Sequence, residues 1–347
     1  MHRSIVAPLT ATLAASVAVG VGIVLARAGR ERGELEQRRR ERELGLRPGE
    51  PPEQALRRMA LGQIDLALEL LARDHGSTPS EKAVHETRKA MKRLRALLRL
   101  IEDELPADTF ARENAALRGV AERLAGPRDA EVMLATLDAL IERGPRKLRR
   151  RKGVRRLRHA LLAQRQTAAA KLDGDAVIRA SAELRELRAR VERWTLPALG
   201  ESDLIAGGLA RLYRQGRGRG RRATRRRGKD SEAMHDWRKR VKSLRYAAEM
   251  LERHVPAEIA RGSRAKQLRV LARRADQLGE VLGEDHDLAV LAELIRAAGK
   301  RKRLDRRTRK LLLELVAARQ RKLRRRALRE GRHLYRRPTK QFVRSLS

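Results

Sequence analysis

The sequence predicts an all-α protein, and three observations carry that reading. Hydrophobic residues make up 41% of the 347 but aromatic residues only 2%, so the core must be built from Leu, Ala, Val and Ile. That palette suits helices better than sheets. From Pro52 onward, apolar residues recur at helical spacing in almost every segment, with Gly and Pro between segments.

In chain order, the first candidate helices span about 52–74, 80–104, 107–124, 128–142, 146–171 and 175–194. A second set spans about 202–214, 231–254, 257–281, 285–298, 303–331 and 338–346. Breakers separate them: Gly76 with Pro79, Pro106, Gly126-Pro127, Gly144-Pro145, Asp173-Gly174, Pro197, Pro256, Gly283, Gly299 and Pro338. Ser80 and Asp230-Ser231 stand where N-caps are needed. Residues 215–230, QGRGRGRRATRRRGKD, are dense in Arg and punctuated by Gly, and read as a loop that buries nothing.

Ahead of the helices, Ser4–Ala26 is an uncharged run of 23 residues, long enough for one membrane span. It is Ala-rich and interrupted by Pro8, Gly20 and Gly22. The arginines that follow would hold the main body on the cytoplasmic side, with residues 4–26 as an inner-membrane anchor. A loose apolar tail or an early start codon accounts for it equally well. The organisation expected is an apolar segment 1–28, a charged linker 29–51, one helical bundle over 52–200 and a second over 201–347.

Lys and Arg number 83 against 44 Asp and Glu, a net charge of +39. Self-repulsion on that scale opposes compaction. Either the charge is a solubility surface, or a polyanion is the normal partner: nucleic acid, anionic membrane or inorganic polyphosphate. The absence of cysteine excludes thiol catalysis, disulfides and Cys-based metal sites.

The halves repeat one another. His85-Glu-Thr-Arg88-Lys89-Ala-Met-Lys92-Arg-Leu94-Arg95 is matched 150 residues later by His235-Asp-Trp-Arg238-Lys239-Arg-Val-Lys242-Ser-Leu244-Arg245. Downstream, Leu124-Ala-Gly-Pro-Arg128-Asp129 is matched by Leu282-Gly-Glu-Asp-His286-Asp287. Chance in an Arg-rich chain explains matched cations. It explains a paired histidine poorly, because there are only eight.

At about 100° per residue, Arg88, Lys89, Lys92, Arg95 and Arg99 fall with His85 within an arc of roughly 120°. Met91, Leu94, Leu98 and Ile101 take the opposite side. The second helix repeats this with His235, Arg238, Lys239, Lys242 and Arg245, and adds Tyr246. Ordinary solvated helices intersperse acids at i+4, and this face does not. Arg offers bidentate geometry to phosphate oxygens and Lys a mobile point charge. The histidines either contact ligand or serve as structural hydrogen-bonding groups. Among these cations their protonation is expected to be disfavoured until an anion binds.

No H-x-x-x-H or H-E-x-x-H spacing, nucleophile–base pair or Gly-rich phosphate loop is present, so no catalytic residue, metal site or cofactor is assigned. Asp129, Asp285 and Asp287 are the acids that a Mg²⁺ would use. Read as helix-start residues, they are expected to cap or to pair with Arg instead.

VHETRKAMKRLR and MHDWRKRVKSLRY, each followed by LAGPRD or LGEDHD, resemble the CHAD family, the conserved histidine α-helical domain. The resemblance covers about residues 52–340. It implies two four-helix bundles related by pseudo-twofold symmetry around a basic central cavity. It implies non-catalytic binding of inorganic polyphosphate and association with polyphosphate granules in the cytoplasm. The binding set it implies is His85, Arg88, Lys89, Lys92, Arg95, His235, Arg238, Lys239, Lys242 and Arg245. Arg99, Arg128, Tyr246 and His286 form a wider set around it. The triphosphate-tunnel enzyme fused to many members is not visible, and the Arg-rich stretch 215–230 and the apolar N-terminus lie outside the pattern. Nucleic-acid binding through Arg-rich surfaces, and engagement of an anionic membrane surface, remain the alternatives.

Overall fold

The computed structural model describes residues 49–72, 80–170, 174–200, 203–226, 230–252, 263–300 and 304–346. The apolar run 4–26 lies outside them. Among the described residues there is no strand, and no helix is long and apolar enough to cross a membrane.

Eleven helices are described. The first six are α1 (Pro52–Ala72), α2 (Glu81–Leu100), α3 (Ala107–Arg123), α4 (Gly126–Glu142), α5 (Lys152–Ala170) and α6 (Gly174–Glu192). They are followed by α7 (Ala210–Arg225), α8 (Ser231–Glu252), α9 (Ser263–Lys300), α10 (Arg306–Leu334) and α11 (Thr339–Arg344). Their starts follow the expected chemistry. Ser80 Oγ accepts from the Ala83 amide at 3.2 Å, and Asp230 Oδ1 from the Ala233 amide at 3.0 Å. Met91, Leu94, Leu98 and Ile101 are all buried, as the periodicity of α2 requires.

Two neighbour circuits organise the packing. α1 packs on α2 and α6, and α3 on α2 and α6. In the second half, α8 packs on α7 and α9, and α10 on α9 and α7. α4 packs on α5. The halves meet where α2 lies on α8 and α4 on α9.

Three expectations need correction. Residues 215–225 are not a loop, because α7 runs through them to Arg225. Its glycines are contact residues rather than breakers. A methyl group on Gly220 would lie 3.0 Å from the Trp237 ring, and one on Gly216 would collide with the Tyr335 hydroxyl. Gly331 of α10 meets the same ring. Small residues here let three helices close on the buried aromatic side chains. Tyr213 joins them, stacked on Phe342 at 3.9 Å and edge-on to Tyr335 at 5.2 Å.

Gly283 does not end a helix either. α9 is continuous from Ser263 to Lys300, whereas its first-half counterpart is split into α3 and α4. The difference is Pro127, which cannot sit in a helix interior but fits the first turn of α4. Gly283 costs only about 1 kcal/mol in a helix interior. Third, the segment 146–171 divides into a short 3-10 turn, Arg146–Leu148, and α5.

Candidate polyanion-binding site

The site is built on α2 and α8, the two histidine-led helices. Charges that act on one another across their contact are Lys92 with Lys242, Arg99 with Arg240 and Arg93 with Tyr246. These pairs place the stretch Lys92–Arg99 of α2 against Arg240–Tyr246 of α8, in a basic strip. At 1.5 Å per residue, each histidine stands about 10 Å along its own helix from the lysine of that contact.

Each half sets its arginine near the matching aspartate. Arg88 Nη1 donates to Asp129 Oδ1 at 3.0 Å and to the Ala125 carbonyl at 3.2 Å. The matching arginine, Arg238, lies by Asp287, and a Cβ on Gly283 would be 3.8 Å from its Nε. Gly279 and Gly283, one turn apart on α9, leave the space that Arg238 and Lys242 occupy.

Burial sets the electrostatics. It lowers the Arg238 guanidinium, with Asp287 and Glu280 pulling the other way. It takes Lys242 down to about 8, with Arg238 and Lys92 adding repulsion. It lowers His235, helped by Lys239 and Arg238. His286 falls to about 4 through burial, then through Arg238 and His235. His235 is thus held neutral as expected, and His286 with it, with burial rather than neighbouring charge as the larger cause. Their rings stack with centroids 4.3 Å apart. Among the described residues, Arg238 Nε and His235 Nδ1 are buried and have no hydrogen-bond partner.

The remaining sequence candidates divide. Lys89 pairs with Glu86 at 3.4 Å and Lys239 with Asp236 at 3.6 Å, both local contacts that an anion can displace. Lys92 and His85 are exposed. Arg95 donates to Asn114 Oδ1 at 3.0 Å. Arg245 is tied to Glu249 at 2.7 Å and to Asp276, which makes it the most internally satisfied member. Tyr246 is buried rather than presented on the polar arc, and burial raises its hydroxyl pKa. Arg99 is lowered to about 10 by burial and by Arg240 and Arg95. The Arg128 side chain lies outside the described residues.

Two acids sit differently from expectation. Asp285 and Asp287 lie mid-helix in α9, because that helix does not break. Asp285 is buried against Arg324 at 2.8 Å. Asp287 stands at the strip beside Arg238 and Lys242, and burial raises its carboxyl pKa. Asp287 lies by an arginine, one of the two roles expected of it, whereas sequence reasoning missed Glu280 and Arg240 as neighbours of the strip. The Gly279-x-x-x-Gly283 spacing was the available signal, since it marks the face of α9 that α8 approaches.

A family model for the CHAD domain matches residues 58–296. The chain belongs to the CHAD domain family. The structure agrees with the crystal structure of the CHAD domain from the plant Ricinus communis with a TM-score of 0.56 at 20% identity. That likeness covers 83% of this chain and 94% of the plant one, and it establishes a shared all-helical fold. Comparison with curated proteins gave no match. The strip of this CHAD domain is thus the pair of repeat helices that carries the family's histidines, and polyphosphate binding is the family's known property.

Proposed function

We propose that this CHAD domain binds inorganic polyphosphate along the α2–α8 strip without turning it over. The observation that carries the reading is a cluster of buried polar groups whose positive charge outweighs the acids beside it. Among the described residues, Arg238 Nε and His235 Nδ1 are buried without a hydrogen-bond partner, and Lys242 is pushed down to about 8 by burial beside Arg238 and Lys92, with Glu280 and Asp287 only partly offsetting it. Such groups gain from a ligand that brings several negative charges at once. A slender, flexible chain can cross the contact between the two helices and meet Arg88, Lys92, Lys242 and Arg238. CHAD domains are binding modules rather than a catalytic family, which supports a role without turnover.

Neutralising Arg88, Lys89, Lys92, Arg238, Lys239 and Lys242 together should abolish tight polyphosphate binding, measured by titration calorimetry on a variant with an unchanged circular-dichroism spectrum. Undiminished affinity would remove the strip from the account. No orthophosphate should be released on prolonged incubation of polyphosphate with the native chain. In cells, a tagged chain should partition onto polyphosphate granules and the six-fold variant should remain dispersed. A variant that still partitions would separate localisation from this site.

A further inference from the structure

The Arg-rich stretch outside the family's motif has a specific geometry. Counting from Gly216 on α7, Arg217, Arg221, Arg214 and Arg225 fall at about 100°, 140°, 160° and 180°. Counting from Gly331 on α10, Arg332, Arg325 and Arg329 fall at about 100°, 120° and 160°, and Arg336 follows just past the helix end. Gly216 meets Tyr335, while Gly220 and Gly331 both meet the Trp237 ring, so α7 and α10 run antiparallel at close range. Both rows are rotated well away from the glycines that meet Trp237 and Tyr335. Both therefore face outward, away from α8. The other side of the pair is closed by α8, through Arg219 with Asp236 at 3.7 Å and Arg324 with Ser231 at 2.8 Å. Arg217 and Arg336, one from each row, both act on the Tyr213 hydroxyl between them.

The rows are level with one another: Arg225 with Arg325, Arg221 with Arg329, Arg217 with Arg332 and Arg214 with Arg336. They form a ladder about 16 Å long. All are exposed except the half-buried Arg217. Among the described residues, Arg329 is the one member with an acidic partner, Glu330 at 3.8 Å. A solvated helix face normally carries acids among its bases, and this one does not.

We propose that this ladder is a second seat for a linear polyphosphate chain, so that one molecule holds two polyphosphate segments at once. The inference rests on the polyphosphate reading of the α2–α8 strip. A slender chain fits because guanidinium groups approach from both sides of a narrow, glycine-closed helix pair. Base stacking has no platform here, since the aromatic rings of α7, α8 and α11, and that of Tyr335 just past α10, are buried. Bivalency would let the protein link polyphosphate chains into a condensed phase.

The test uses the full chain, a ladder variant (Arg217→Gln, Arg221→Gln, Arg325→Gln, Arg332→Gln) and a strip variant (Lys92→Gln, Arg238→Gln, Lys242→Gln), titrated with long-chain polyphosphate. The native chain should show a tight and a weaker class of sites and should scatter light near charge neutrality. The ladder variant should keep the tight class, lose the weaker one and stop scattering. The strip variant should keep only the weaker class, and its log–log salt slope should exceed that of a combined variant by about 3, on the single-strand value per neutralised contact. A ladder variant with both classes and full scattering overturns the second seat and leaves the strip intact. A strip variant with both classes sinks the strip and leaves the ladder. If the native chain binds no polyphosphate, both fail. If duplex DNA displaces polyphosphate from the strip variant at matched charge, the ladder is a nucleic-acid surface and the proposal fails.

Discussion

Lys242 offers a test in which stability and binding move in opposite directions. Its ammonium falls from 10.5 to about 8 in the folded state, first through burial and then through Arg238 and Lys92. A difference of that size penalises the charged form by about 3 kcal/mol relative to the unfolded chain. Below pH 8 the lysine is charged in both states, and the fold carries the whole penalty. As pH rises from 8 towards 10.5, the native state sheds its proton first and the penalty disappears. Lys242→Met keeps the aliphatic stem and removes the charge. The variant should therefore be more stable than the native chain at pH 7, by about 1–3 kcal/mol once imperfect packing is allowed for. The two should converge near pH 10.5. Urea denaturation at both pH values, without polyphosphate, reads the difference directly. The same variant should bind polyphosphate more weakly. Equal stability differences at pH 7 and 10.5 would show that Lys242 is not electrostatically penalised, and would remove a main support of the site.

Other expectations follow from the same physics. A bound polyanion should raise the pKa of Lys242, His235 and His286, so binding takes up protons. Affinity should fall as pH rises through 8, where the free lysine deprotonates, and should strengthen below neutral pH as the histidines become chargeable. Calorimetry in buffers of different ionisation enthalpy detects the protons, and a Lys242→Met/His235→Gln/His286→Gln variant that takes up as many would refute the assignment. Gly331→Ala drives a methyl group into Trp237 and should lower stability by about 1–2 kcal/mol net, despite the helix propensity gained; a stabilised variant in thermal melts would show that the α7–α8–α10 contact yields. Asp285→Ala strands Arg324, whose side chain is 13% exposed, and should cost about 3–5 kcal/mol, with Arg324→Met added to it restoring much of the loss. Denaturant titration of both variants decides it, and an unrescued double variant would show that packing rather than stranded charge sets the cost.

Much of the fold was legible because the core is made of small aliphatic residues at helical spacing. Ser80 and Asp230 cap the helices they precede, and Pro127 begins one. What failed was the reading of glycine. Gly216, Gly220 and Gly283 look like breakers in one dimension, yet their partners are Tyr335, Trp237 and Arg238, up to 119 residues away in sequence. Only packing shows that the missing side chain makes room for another helix. The site was legible to the extent that it repeats. The match between His85 and His235 picks out the two helices that pack on each other. Sequence did not show where along their length the two helices meet, or that Asp287 lies beside both Arg238 and Lys242. The second fact depends on α9 continuing past Gly283.

The most direct test of the central claim is a competition titration of long-chain polyphosphate against duplex DNA and RNA at near-physiological salt, read on the native chain and the six-fold strip variant. Polyphosphate should displace both nucleic acids from the native chain, with an affinity that falls steeply with salt, and the variant should lose that preference. Nucleic acid that resists displacement, or a preference that survives in the variant, would contradict polyphosphate binding along the α2–α8 strip.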